Sequence, residues 1–149
     1  MIARGIVAGA IAGVTILAYF ALMNLVVLRT PGFTLTGVFL FDASVLIGRA
    51  APANAAYVAL GIGLHFIVSI GWALGYTIAA ERQPQLLTRP LISGLTFGLI
   101  VYFAMQLVIV GANLYRIPTP GELAVALLAH TVFFGFPVAI IAARMQRPR

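Results

Sequence analysis

Two histidines, His65 and His130, are the only imidazoles in this 149-residue chain, and cysteine is absent. The missing thiols remove disulfides, thiolate metal sites and redox thiols together. The acids are Asp42, Glu81 and Glu122, and all nine basic residues are arginine. A hydrolase needs a nucleophile with a base, or a set of metal ligands, and this inventory supplies neither. No G-x-x-x-x-G-K-[ST], H-E-x-x-H or G-x-S-x-G pattern occurs. The expectation is a chain that is no enzyme on its own.

Two chemistries remain open for the histidines. Facing each other across a helix bundle, they can offer one ring nitrogen each to a single iron, a bis-histidine haem b site for electron transfer. Phe66, Trp72, Phe133 and Phe134 would then contact the porphyrin, and Arg29, Arg49 or Arg116 its propionates. Alternatively, neutral imidazoles hydrogen-bond between helices, to Ser69, Tyr102 or Gln106. Tyr19, Asn24, Tyr102 and Gln106 complete a polar layer in apolar surroundings, in which each polar group needs a partner to offset its desolvation. A layer of this kind can also hold a small solute or a lipid.

The elements that position these residues follow from composition. The chain is 62% hydrophobic and 8% charged, with mean hydropathy +1.10, whereas soluble domains carry about 25% charged residues. Too little charge is available to cover a core, so lipid must face much of the surface. The arginines punctuate apolar segments instead of forming a basic stripe on a soluble face, which excludes nucleic acid as a partner. The uncharged intervals are 24 residues from Gly5 to Leu28, 31 from Ala50 to Ala80, 26 from Pro90 to Tyr115 and 21 from Leu123 to Ala143. A span needs about 20. The spacing predicts spans over roughly 4–28, 54–80, 90–114 and 120–144 within one transmembrane domain, 1–149. The first is longer than the apolar core of about 7–15 residues in a signal peptide and reads as a retained span.

Helix signals sit at the expected ends. Thr119-Pro120-Gly121-Glu122 reads as a capping box with proline at the first helical position. Pro90 opens the third span in the same way, and Pro52 with Asn54 marks the start of the second. The segment 33–49 is apolar but too short to cross, and reads as a helix in the outer interface. Its Asp42 points to water, pairs with Arg29, Arg49 or Arg116, or contacts a ligand or partner.

The halves resemble each other. Arg4-x4-Gly9-x3-Gly13 recurs as Arg89-x4-Gly94-x3-Gly98, Tyr19-Phe20-Ala21 as Tyr102-Phe103-Ala104, and Thr30-Pro31-Gly32 as Thr119-Pro120-Gly121. The matched pairs are His65 with His130, Tyr19 with Tyr102 and Asn24 with Gln106. An even number of crossings per unit keeps its orientation, so the prediction is an all-α, up-down-up-down integral membrane four-helix bundle built as a tandem two-helix repeat. Gly5, Gly9 and Gly13, Gly71 with Gly75, and Gly94 with Gly98 have the four-residue spacing that lets helices approach closely. Within-chain packing is the expected use, and an oligomer face the alternative. Pro137, beyond His130, frees a carbonyl one turn back and permits a kink.

Six arginines, at positions 4, 82, 89, 144, 147 and 149, fall on the side of the termini, and Arg29, Arg49 and Arg116 on the other. The positive-inside rule then puts both termini in the cytoplasm. The glycine-rich first helix, the central histidine of the second and the arginine-rich tail resemble small four-helix bacterial inner-membrane proteins of unassigned function; this implies a multi-pass location and transfers no site residue. Arginine in place of lysine, with abundant alanine, glycine and valine, fits a GC-rich bacterial source. The leading functional expectation is a non-catalytic accessory or structural subunit of a larger membrane complex, or a self-associating bundle in contact with lipid. A haem b electron carrier and a small-solute or lipid-binding protein are the alternatives.

Overall fold

The computed structural model describes residues 2–29 and 31–146 and is helical, with no strand among those residues. Thr30 of the matched Thr-Pro-Gly motif, and the tail arginines Arg147 and Arg149, lie outside them. Four helices are long and apolar enough to cross a membrane: Ile2–Leu28, Ala55–Arg82, Pro90–Gly111 and Pro120–Met145. They mark the chain as a multi-pass membrane protein. In chain order the elements are α1 (Ile2–Met23) with a π turn (Asn24–Leu28), α2 (Leu35–Ile47), α3 (Ala55–Arg82), α4 (Gln85–Thr88), α5 (Pro90–Gly111), α6 (Pro120–His130), a π turn (Thr131–Gly135) and α7 (Phe136–Gln146).

Local chemistry sets the ends. Asn54 Oδ1 accepts from the amides of Ala56 and Tyr57 at 3.1 and 3.2 Å and starts α3. The capping box at Thr119 forms in full, and Pro120 and Pro90 occupy first-turn positions where no amide donor is needed. Arg29 and Asn113 take left-handed backbone conformations, φ 49° and 58°, just beyond the first and third spans.

Lipid provides no hydrophobic drive between helices, so close backbone approach must draw them together. Gly5, Gly9 and Gly13 supply it for α1 against α3: a Cβ on Gly9 would lie 2.5 Å from Ile70 Cα, and one on Gly13 3.2 Å from Phe66 and Ser69 side chains. Gly94 and Gly98 do the same for α5 against the fourth span, where Cβ atoms would lie 2.8 Å from Phe136 Cα and 2.6 Å from Thr131 Cα. Gly135 returns the contact from the facing helix. In both pairs, rising numbers on one helix meet falling numbers on the other, so each pair is antiparallel. Gly71 and Gly75 depart from the expectation. Both are exposed with open space around them, because their four-residue row lies on the face of α3 turned away from α1.

The first span also packs on the fourth. Tyr19 stacks on Phe133 with ring centroids 4.1 Å apart. Proline has no amide hydrogen, so Pro137 cannot bond the carbonyl of Phe133 four residues earlier. Thr15 of α1 meets that oxygen at 2.6 Å, with the carbonyl of Ala12, 3.0 Å away, as the alternative acceptor for its single hydroxyl hydrogen. The kink anticipated at Pro137 takes the form of the π turn just before it, a wide turn of the sort that often accompanies functional sites.

Helix α2 is more than an interfacial segment, because it packs against α3. The Phe39 backbone sits on Gly61 so closely that no Cβ would fit between them. Thr34 caps its start by accepting from Gly37 N at 3.0 Å, Gly48 ends it at φ 67°, and Ser44 Oγ accepts from Ala51 N at 2.8 Å to turn the chain toward α3. At the other end of the spans, the Tyr76 and Ser93 hydroxyls lie 2.9 Å apart, and both have Leu86 O within reach as an acceptor, at 3.1 and 2.7 Å; one donates to that carbonyl and the other to it or to its neighbour, tying α4 to α3 and α5.

Candidate ligand cavity

A cavity of about 900 Å³ lies between α2, α3, α5 and the fourth span, with Ile16 and Phe20 contributed by α1. His65 is ten residues beyond Ala55 and His130 ten beyond Pro120. At 1.5 Å per residue each lies about 15 Å along its span, half of a hydrocarbon core of about 30 Å. His65, His130, Tyr102 and Gln106, four members of the anticipated polar layer, line this one cavity. Tyr19 and Asn24 are not among its lining residues: Tyr19 is buried against Phe133, and Asn24 begins the π turn that ends the first span. The matched pairs therefore do not build a symmetric layer.

The two rings differ in their surroundings. His65 has a partner on each nitrogen, with Nδ1 3.3 Å from Asp42 Oδ2 and Nε2 3.1 Å from the carbonyl of Gly13. These replace the anticipated partners Ser69, Tyr102 and Gln106. Asp42 likewise pairs with His65 and with none of Arg29, Arg49 or Arg116, because α2 folds onto α3 and carries the carboxylate to the ring. Phe39 and Phe66 pack on the imidazole at near-perpendicular angles, with centroids 6.1 and 5.4 Å away. His130 has one partner: Nδ1 donates to Ala126 O at 2.7 Å. The neutral ring then holds its proton on Nδ1 and presents Nε2 as an acceptor. Tyr102 lies edge-on to this ring at 5.5 Å between centroids.

A bis-histidine haem does not fit this arrangement. The volume would admit a porphyrin, but an iron on His65 would have to displace either the Gly13 carbonyl or Asp42, and only His130 keeps a bare nitrogen. Among the described residues no group of three or more His, Cys, Asp or Glu side chains could hold a metal ion.

Toward the loop that precedes the fourth span, Arg116 grips Glu122 with two hydrogen bonds of 2.9 and 2.6 Å, and Thr119 adds its amide at 2.9 Å and its hydroxyl at 3.1 Å. The hydrogen bonds to Glu122 push the Arg116 pKa up, so the pair stays ionic. Both residues line the cavity. The capping motif disclosed Glu122 in the sequence, whereas the involvement of Arg116 required the fold of the loop.

Other lining groups carried weaker signals or none. Ser69 and Tyr102 are each only 5% exposed, yet neither hydroxyl forms a hydrogen bond with a described residue. The same holds for the Trp72 indole N–H, the Gln106 amide and His130 Nε2. The remaining wall is mainly aliphatic and aromatic. No protein-family model, curated protein or solved structure matches the chain.

Proposed function

We propose that this protein binds a small amphiphilic molecule in the cavity and performs no chemistry on its own. The observation that carries the reading is a cavity of about 900 Å³, apolar over most of its wall, that reaches mid-span polar groups. Ligand sites have this character: volumes of roughly 300–1,000 Å³, apolar walls and a few convergent polar groups. The surrounding frame is an up-down-up-down bundle in a bacterial inner membrane with both termini cytoplasmic. The similar contacts of the two helix pairs, through Gly9 and Gly13 and through Gly94 and Gly98, support a tandem two-helix origin.

Trp72 is the only tryptophan and lines the cavity, so its fluorescence reads occupancy. A brominated long-chain alcohol, titrated into the detergent-solubilised protein, is expected to quench Trp72 saturably, and Ala126→Phe, which fills the cavity, to remove the saturable component. Quenching that never saturates, or that is equal in the filled variant, rules the reading out. The accessory-subunit reading stands second, favoured by Gly63, Gly71 and Gly75, which leave open space on the exposed face of α3. Its test is purification in mild detergent, in which a single species of one copy without other proteins counts against it.

A further inference from the structure

Resting on the binding reading above, we infer that the ligand is a neutral ring bearing at least one hydroxyl on an apolar tail, the chemistry of a phenol or quinol. Charge comes first. The formally charged side chains that line the cavity are Asp42, Arg116 and Glu122, and each is already paired within the protein, Asp42 with His65 and Arg116 with Glu122. An ionic head at this depth would lose its hydration with no countercharge, at a cost of several kcal/mol. The head is therefore uncharged.

Hydrogen bonding comes second. Buried polar groups are nearly always satisfied, and each one left bare costs about 1–3 kcal/mol. Ser69 Oγ and Tyr102 Oη, both more than nine-tenths buried, line the cavity without a described partner, as do Gln106, the Trp72 indole and His130 Nε2. Trp72 can only donate, and His130 Nε2 in its neutral ring can only accept. A carbonyl or ether oxygen satisfies the first and leaves the second bare. A hydroxyl serves His130 Nε2 with its hydrogen and the hydroxyl of the neighbouring Tyr102 with its lone pairs. Shape comes third. Trp72, Tyr102 and Phe134 are among the residues that line the cavity, and aromatic walls favour a flat aromatic guest through offset and edge-on contacts.

The test is competition with the brominated alcohol, using full-length protein in detergent and three probes of equal tail length: 4-decylphenol, decylbenzene and 4-decylbenzoate. The phenol is expected to restore Trp72 fluorescence at about tenfold lower concentration than decylbenzene, the equivalent of one net hydrogen bond, and the benzoate to be the weakest. Tyr102→Phe and Gln106→Leu should each narrow the gap in displacing concentration between the phenol and decylbenzene. Equal displacement by phenol and decylbenzene overturns the hydroxyl assignment and leaves the binding reading intact. Preference for the benzoate overturns the neutral head. Absence of any saturable quenching by the brominated alcohol removes the binding reading itself, and this inference with it.

Discussion

In the first helix pair, α1 meets α3 through Gly5, Gly9 and Gly13, and the histidine of α3 is held on both nitrogens, by the Gly13 carbonyl and by Asp42 of α2. In the second pair, α5 meets the fourth span through Gly94 and Gly98, no short helix intervenes, and the histidine bonds only to its own helix at Ala126. The packing is alike and the two rings are at the same depth. Helix α2, which has no counterpart in the second pair, separates their roles: His65 bonds α2 to α3, while His130 keeps a nitrogen bare at the cavity. Two helix pairs with similar glycine contacts thus surround their histidines differently, because α2 packs against only the first of them.

The comparison can be broken first at the glycines. Gly9→Leu and Gly98→Leu should each destabilise the protein by about 3 kcal/mol, the upper range for overpacking, because backbone faces both positions; Gly71→Leu, in open space, should change stability by less than about 0.5 kcal/mol. Unfolding in detergent measures all three, and a Gly71→Leu loss as large as the others would show that its face is covered. Next is Gly61→Leu, which pushes α2 off α3. Its expected cost is about 2 kcal/mol, confined to the first pair: amides of α2 should exchange with solvent much faster while those of α5 keep their protection. Uniform loosening would mean that the second pair leans on α2 as well. Thr15→Val removes the hydroxyl that meets Phe133 O and should cost about 1.5 kcal/mol, again read by unfolding. Asp42→Asn is the mildest, under about 1 kcal/mol, since the side-chain amide can donate an N–H to His65 Nδ1 while Nε2 donates to the Gly13 carbonyl. Its imidazole nitrogen resonances should shift for His65 alone, and a matching shift of His130 would show that the rings share one network.

The four spans were legible from the sequence because charge and caps delimit them: arginines interrupt the apolar runs, and Asn54, Pro90 and Thr119-Pro120 start helices by local bonds. Glycine spacing was legible only in part. It tells which residues share a face, and so found Gly9 with Gly13 and Gly94 with Gly98, but not where that face points, so the within-chain packing expected of Gly71 and Gly75 is not made. Gly61 escaped notice because the chain that rests on it comes from α2, not from a neighbouring span. The pairing of Asp42 with His65 was illegible for the same reason: a segment too short to cross the bilayer gave no periodic sign that it would fold back on α3. Tyr102, Gln106 and His130 were found as rare polar groups in apolar runs, whereas Tyr19, equally rare, turned toward Phe133.

The bond between Thr15 and Phe133 O joins residues 118 positions apart. During synthesis the fourth span emerges long after the first, carrying a carbonyl that its own proline has left without a donor. In hydrocarbon that oxygen is a standing penalty until it reaches α1. Assembly of the newly made chain is therefore drawn toward contact between α1 and the helix that carries Phe133, and the carbonyl is relieved only when the two have met.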